Sequence, residues 1–344
     1  MRTEEVDRVS LDLLDELGVT ASGHVLEELE RHHIVEHRRG ARITYVVARS
    51  TSGVALGLLP VYQFSRTYEA SLVAASLVDE LSLSAGSRVC SAGGAGGYRN
   101  HLALSAAIDP ACATAAAGAL VSAAREIASG AGCPQVLIPD LDPAQAGWLA
   151  EFEPEAVADT TRDKAVMPIE WGHFSEYLAA LPRKRRWQVR RERHAFATSG
   201  IVMRDEPLSS VAAEVAPLLA QTQQRHGDSA DPVEAEFYLA MLALTPGSEV
   251  RALVGYLSGR PVAFSVVHRR GDTWAVRAVG RDYAAPEHSQ YFNLTYYEPI
   301  ERAITDGAAL IDFGVGSLSA KRFRGCRLEP LRSLLLPVAP SRDR

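Results

Sequence analysis

Apolar residues recur at three- and four-residue spacing through Leu294, Tyr297, Ile300 and Ile304, so one face of a helix is apolar there and Gly307 supplies its stop. Pro299 lies within this pattern and removes a backbone donor, which predicts a kink or a fresh helical start at its first turn. After Gly307, the run Leu310-Ile311-Asp312-Phe313-Gly314 reads as a buried strand, followed by the cationic run from Lys321 to Gly325. Upstream, Val250 to Leu257, Pro261 to His268 and Thr273 to Gly280 are strand-like. The turns Ser258-Gly259-Arg260 and Arg269-Arg270-Gly271-Asp272 join them into a meander.

The first half follows the same order. Helices are expected around Val9 to Leu17 and Ser22 to Glu36, then strands Ile43 to Arg49 and Val54 to Phe64 about the turn Ser50-Thr51-Ser52-Gly53. A Gly-rich loop precedes an Ala-rich helix from Pro110 to Gly130, with Leu120, Ala124, Ile127 and Ala131 on one face, and the strand Gln135 to Pro139 closes the series. Strand-turn-strand, loop, helix, Gly, strand thus occurs twice, which predicts two related α+β domains. The polar stretch between Pro154 and Pro168 places the join, with domains over residues 1–165 and 166–344. The strand-like Ala165 to Glu170 fits either domain, and the tail from Val338 to Arg344 is expected to fray.

Composition narrows the class. A chain of 344 residues exceeds one ordinary core, in keeping with two domains. Although 47% of it is hydrophobic, Gly, Pro or charge breaks the apolar runs before they reach spanning length, and Met1-Arg2-Thr3-Glu4-Glu5 is no secretory start. A soluble, cytoplasmic protein is expected. Cys90, Cys112, Cys133 and Cys326 are scattered without CxxC or a partnering His, so a disulfide framework, a zinc site and a metal or redox cofactor all lack support.

A net charge of −6 argues against a general polycationic coat, so any basic patch must be local. Arg183-Lys184-Arg185-Arg186 and Arg190-Arg191-Glu192-Arg193 place seven basic residues in eleven positions. On a helix, Arg183, Arg186, Arg190 and Arg193 share a stripe; Lys184, Arg191 and His194 form the next, with Trp187 between. Such a face suits a polyanion, with guanidinium forks for phosphates and an indole for stacking. A solvated helix laced with salt bridges is the alternative. Against so many arginines, Lys164, Lys184 and Lys321 are the only lysines. The loop Gly93-Gly94-Ala95-Gly96-Gly97-Tyr98 has neither the Lys-Ser/Thr of a P-loop nor GxGxxG order, and reads as a tight irregular loop.

Taken in order, several segments resemble the Fem-like, tandem GNAT-fold acyltransferases: Tyr45-Val46-Val47-Ala48-Arg49 with Gly57-Leu58-Leu59-Pro60-Val61-Tyr62, Tyr177-Leu178-Ala179-Ala180-Leu181 before the Arg-rich helix, Gln224-Arg225-His226-Gly227, and Tyr296-Tyr297-Glu298-Pro299-Ile300 leading to Asp312-Phe313-Gly314. The likeness runs from about Tyr45 to Pro330. It implies a mixed, largely antiparallel sheet flanked by helices in each half, and transfer of an acyl group to an amine or hydroxylamine. Lys321 matches a Lys that these relatives keep after the same strand, where it would neutralise the oxyanion of aminolysis. Asp312 is a candidate general base, or else the partner of Arg322 or Arg324. Arg322 and Arg324 join Arg183, Lys184, Arg185, Arg186, Trp187, Arg190, Arg191 and Arg193 as expected contacts to the acyl donor. Arg225 and His226 match a polar marker of the relatives; with Tyr256 and Tyr291 they are candidates for the acceptor, and Tyr256, Tyr291, Tyr296 and His288 are further candidates for proton transfer.

The donor is aminoacyl-tRNA or acetyl-CoA in different relatives. CoA users place small residues in the strand-to-helix turn so that amides approach the pyrophosphate. The turn here, Arg281 to Gln290, contains no Gly, which tips the expectation to charged tRNA, with a CoA-dependent N-acetyltransferase and a non-catalytic RNA-binding protein as alternatives. No long helical hairpin of the wall-building Fem ligases is visible. A small amine acceptor in natural-product or antibiotic biosynthesis fits the compact form.

Overall fold

In the computed structural model the described residues are 1–7, 9–18, 42–63, 90–93, 100, 102–153, 157–226, 231–244 and 248–338. The expected helix from Ser22 to Glu36 and most of the Gly-rich loop, 94–98, lie outside them. The chain groups into two units, residues 1–162 with 330–344, and residues 163–329.

In the first unit the strands are β1 (Arg2–Val6), β2 (Arg42–Arg49), β3 (Ala55–Gln63), β4 (Cys90–Ala92), β5 (Ala103–Leu104), β6 (Gln135–Leu141) and β13 (Arg327–Pro337, most of which lies in this unit). Their order is β1-β2-β3-β4-β6-β13, with β5 against β3. All pair antiparallel except β4 and β6, which run parallel. Parallel neighbours need a crossover. Helix α2 (Pro110–Gly130) supplies it, started by Asp109 accepting from the amides of Ala111 and Cys112 with Pro110 at the first turn, and buries Leu120, Val121, Ala124 and Ala128. Helices α1 (Leu11–Leu17) and α3 (Pro143–Phe152) complete the described part of this unit.

The second unit repeats the plan. Its order is β7 (Val157–Pro168), β12 (Leu310–Gly314), β11 (Thr273–Arg281), β10 (Arg260–Arg270), β9 (Glu249–Leu257), β8 (Val202–Pro207). Only β11 and β12 pair in parallel, and read from β8 they hold the same place in the order as β4 and β6. The duplication read from the sequence is therefore a duplication of topology. One boundary differs from expectation: residues from Pro330 onward group with the first unit, because β13 adds to β6 there by backbone pairing from Arg332 to Pro337.

Between β8 and β9 lie α6 (Leu208–Arg225) and α7 (Pro232–Ala243); before β8 come α4 (Phe174–Ala180) and α5 (Arg183–Ala197). The crossover from β11 to β12 is one helical run: a turn at Gln290–Phe292, a π segment at Asn293–Tyr297, and α8 (Glu298–Thr305). Pro299 explains the π segment. It cannot donate to the carbonyl four residues back and its ring would strike it, so the helix widens and Glu298 N–H bonds Asn293 O, five residues back. Tyr296, Tyr297 and Ile300 pack with Ile311 and Phe313 in the core. No helix among the described residues is long and apolar enough to cross a membrane.

Candidate active site

Alternation along β12 sorts its residues by face. Ile311 and Phe313 enter the core beneath the crossover helix, so Asp312 turns to the opposite face of the sheet. There its Oδ2 lies 2.6 Å from Lys164 Nζ of β7, and its Oδ1 accepts the N–H of Gly314 at 2.7 Å. Both oxygens are committed and the group is buried. Asp312 is thus the partner of Lys164, not of Arg322 or Arg324.

Gly314 turns left-handed (φ 67°), a conformation that favours Gly, and releases the chain from the strand. The loop returns through the short helix α9 (Leu318–Phe323), which carries Lys321 back to the same turn. Lys321 Nζ donates to Gly314 O at 3.1 Å and Val315 O at 2.8 Å. Burial pulls its pKa down to about 8, against the opposing pull of Cys326 and Asp312. Burial likewise raises the Cys326 thiol to about 12. The ammonium of Lys321 therefore sits at a strand end with one N–H uncommitted to the two carbonyls, which is the arrangement an oxyanion requires.

Arg324 is not on a rim. Its guanidinium is buried, donating to Glu192 Oε2 (3.1 Å), Tyr297 Oη (3.1 Å) and Ala320 O (3.0 Å), and it lies over the rings of Phe292 and Tyr296 at 4.2 and 4.6 Å. Tyr297 Oη donates in turn to Glu192, and Tyr177 Oη donates to Arg324 O at 2.9 Å. Burial first, then the bond to Glu192, raises the Tyr297 pKa. Asn293 of the π segment donates to Glu192 O.

This network anchors α5, whose inner face is Val189, Glu192 and Phe196. Its outer face exposes Arg183, Lys184, Trp187, Arg190, Arg191 and His194. Three other arginines expected on that face are engaged elsewhere: Arg185 stacks on Phe323 at 3.5 Å, Arg186 bonds Leu181 O, and Arg193 pairs with Glu298 and Glu301 and covers Phe174. Among the described residues no carboxylate pairs with Arg183, Lys184, Arg190 or Arg191. The salt-bridge-laced reading does not fit the outer face. Cations also crowd the first turn, where no acid or side-chain cap offsets the positive helix end, a placement that costs stability.

The remaining candidates are dispersed. Arg322 is exposed beside Lys321. Arg225 and His226 end α6 and are exposed, with Arg225 over the Tyr283 ring at 5.0 Å. Tyr256 donates to Glu214 at 2.9 Å, and burial followed by that bond lifts its pKa to about 12. Tyr291 lies edge-on to Phe292 and Tyr296, raised mainly by burial. In the turn after β11, the amides of Tyr283, Ala284, His288 and Ser289 are satisfied by the side chains of Gln221, Asp282, Gln290 and Glu287. Arg281 is paired to Glu287 at 2.5 Å.

Sequence reasoning missed Lys164, Glu192 and Tyr297 as members of the site. A signal existed for two of them. Lys164 is a rare lysine beside a strand-like run, and Glu192 is the lone acid of the basic helix, three residues after Val189 and four before Phe196.

Residues 183–322 match the family model described as acetyltransferase (GNAT) domain. No curated protein matches. Among solved structures the chain is similar to FemX (12% identity, 96% of each chain covered, TM-score 0.61). It is also similar to a tandem GNAT protein from the clavulanic acid biosynthesis pathway (12% identity, 99% of this chain and 100% of that one, TM-score 0.56). A third is L-PGS from Bacillus licheniformis (12% identity, 96% of this chain and 91% of that one, TM-score 0.54). The fold is the tandem GNAT fold that these structures share, and the residues that match the acetyltransferase (GNAT) domain model lie in its second unit.

Proposed function

We propose that this GNAT-fold acyltransferase moves an aminoacyl group from charged tRNA to the amine or hydroxylamine of a small acceptor, in natural-product biosynthesis. The observation that carries the reading is the outer face of α5: four cations without a carboxylate partner among the described residues, flanking a Trp that is 60% exposed, two of them in the first turn of the helix, where its dipole is positive. Phosphates would meet the cations, and an unpaired base of the acceptor end would find Trp187. FemX and L-PGS as neighbours favour the same reading by analogy of fold alone.

A CoA thioester fits less well. The turn after β11 commits the amides of Tyr283, Ala284, His288 and Ser289 to side chains and brings in the carboxylates of Asp282 and Glu287, whereas a pyrophosphate needs free donors. In the chemical step the acceptor nitrogen attacks the ester carbonyl and the carbonyl oxygen gains charge beside the N–H of Lys321 not given to the two carbonyls; as the tetrahedral species collapses the C–O bond to the tRNA ribose breaks, and the proton lost by the nitrogen passes to that leaving oxygen. The remaining proposed contacts are Arg322 with the donor, and Arg225, His226, Tyr256 and Tyr291 with the acceptor.

The test is transfer of labelled aminoacyl groups from total charged tRNA to a panel of small primary amines, with and without prior RNase, beside a parallel assay with acetyl-CoA. RNase-sensitive transfer from tRNA is expected. RNase-insensitive transfer from acetyl-CoA would establish the CoA reading instead, and RNA binding with no turnover from either donor would establish a non-catalytic RNA-binding protein.

A further inference from the structure

Lys164 and Lys321 converge on the turn that ends β12, through groups in adjacent peptide units. Lys164 of β7 holds Asp312 at 2.6 Å; Asp312 accepts the N–H of Gly314; and the carbonyl of that same residue, with its neighbour Val315 O, accepts from Lys321. Every side chain in this relay is buried: Lys164 is 3% exposed, Asp312 5% and Lys321 7%. A lysine at 3% exposure is rare, and its carboxylate partner among the described residues is the one that fixes the left-handed turn. Loss of the Asp312 bond would free the Gly314 N–H and release the left-handed residue that joins it to the two carbonyls aiming Lys321.

We infer that Lys164 is a positioning residue, which acts through Asp312 and the Gly314 peptide to set the place of the Lys321 ammonium. The assignment rests on the proposed role of Lys321 only for its effect on turnover; the placement itself is separate and separately measurable. The titratable and charged groups facing Lys321 are the Asp312 carboxylate of β12 and the Cys326 thiol after α9, with Lys164 of β7 behind Asp312 and Arg324 beside Cys326.

Because the chain has three lysines, acetic anhydride labelling read by peptide mass spectrometry follows the titration of Lys321 directly in the full-length protein. The wild-type midpoint is expected near 8. Asp312→Asn keeps an acceptor for Gly314 N–H but loses the charge, so the midpoint falls; unfolding would instead raise it toward the ordinary lysine value of about 10.4. Lys164→Met leaves the Asp312 carboxylate to Lys321 alone, so the midpoint rises while the protein still melts cooperatively. With charged tRNA as donor, Lys164→Met lowers kcat by about a hundredfold at unchanged KM, the cost of misplacing a reacting group by about an ångström. Lys164→Arg, which keeps a cation against Asp312, recovers part of the loss. Unchanged Lys321 midpoints in both Asp312→Asn and Lys164→Met would overturn the assignment. Full turnover in Lys321→Ala would remove Lys321 from catalysis, while shifted midpoints would still uphold its positioning by Lys164.

Discussion

Arg324 and Glu192 meet at 3.1 Å with side chains 3% and 5% exposed, 132 positions apart in the chain. Through this pair the helix that bears the basic face is fastened to the residue that follows the Lys321 helix. Breaking one half of a buried pair strands a charge, so Arg324→Ala or Glu192→Ala should lower stability by about 3–5 kcal/mol in urea unfolding. The double variant should lose much less than the sum, since the two share one interaction.

The outer face of α5 predicts a salt signature. If Arg183, Lys184, Arg190 and Arg191 each meet a phosphate, tRNA affinity falls on the order of a hundredfold for a fourfold rise in salt. Arg190→Gln with Arg191→Gln should reduce the log–log slope by about 2 in filter binding. Trp187→Ala should weaken binding by about 1–3 kcal/mol with the slope intact, as expected of stacking and not of charge. A slope indifferent to both arginines would exclude this face.

Lys321→Ala should lower kcat about 100- to 1,000-fold with the fold retained, as for loss of one oxyanion donor. The ammonium is the competent form, and with its pKa lowered to about 8 it is present below that pH and lost above it. Turnover should therefore fall as pH rises through about 8, and Lys321→Arg, whose cation does not titrate there, should lack that limb. Stability moves the other way. The unfolded lysine, near 10.5, binds a proton that the folded one has released, so between about 8 and 10.5 this group makes the fold more stable as pH rises.

Gly280 of β11 has no room for a methyl group. A Cβ there would stand 2.4 Å from Phe264 and 2.7 Å from the backbone of Leu218 in α6. Because backbone cannot rotate aside, Gly280→Ala should cost roughly 1–3 kcal/mol in thermal or urea unfolding. Gly118→Ala, where nothing lies within 4 Å in the middle of α2, serves as the control and should be neutral or slightly stabilising.

Much of the architecture was legible along the chain. The spacing of Leu294, Tyr297, Ile300 and Ile304, the stop at Gly307, the strand Leu310–Gly314 and the helix Pro110–Gly130 all stand where periodicity and caps set them, because those signals involve residues within a turn or two of one another. Pro299 announced a disturbance, and the π segment is its form. The repeated order of elements carried over to the repeated strand order of the two sheets.

The site was legible only in part. Sequence density marked α5 as basic, yet it could not say that Arg185, Arg186 and Arg193 turn to partners while Arg183, Lys184, Arg190 and Arg191 have no carboxylate partner among the described residues; Phe323 of α9, Leu181 O before α5 and the acids of α8 decided that. Nor could it join Lys164 to Asp312, or Glu192 to Arg324. Local pattern fixes which face of a strand or helix a residue occupies, whereas a buried charge takes whichever partner the strand order and crossover bring within about 3 Å, and that neighbour lies more than a hundred residues away.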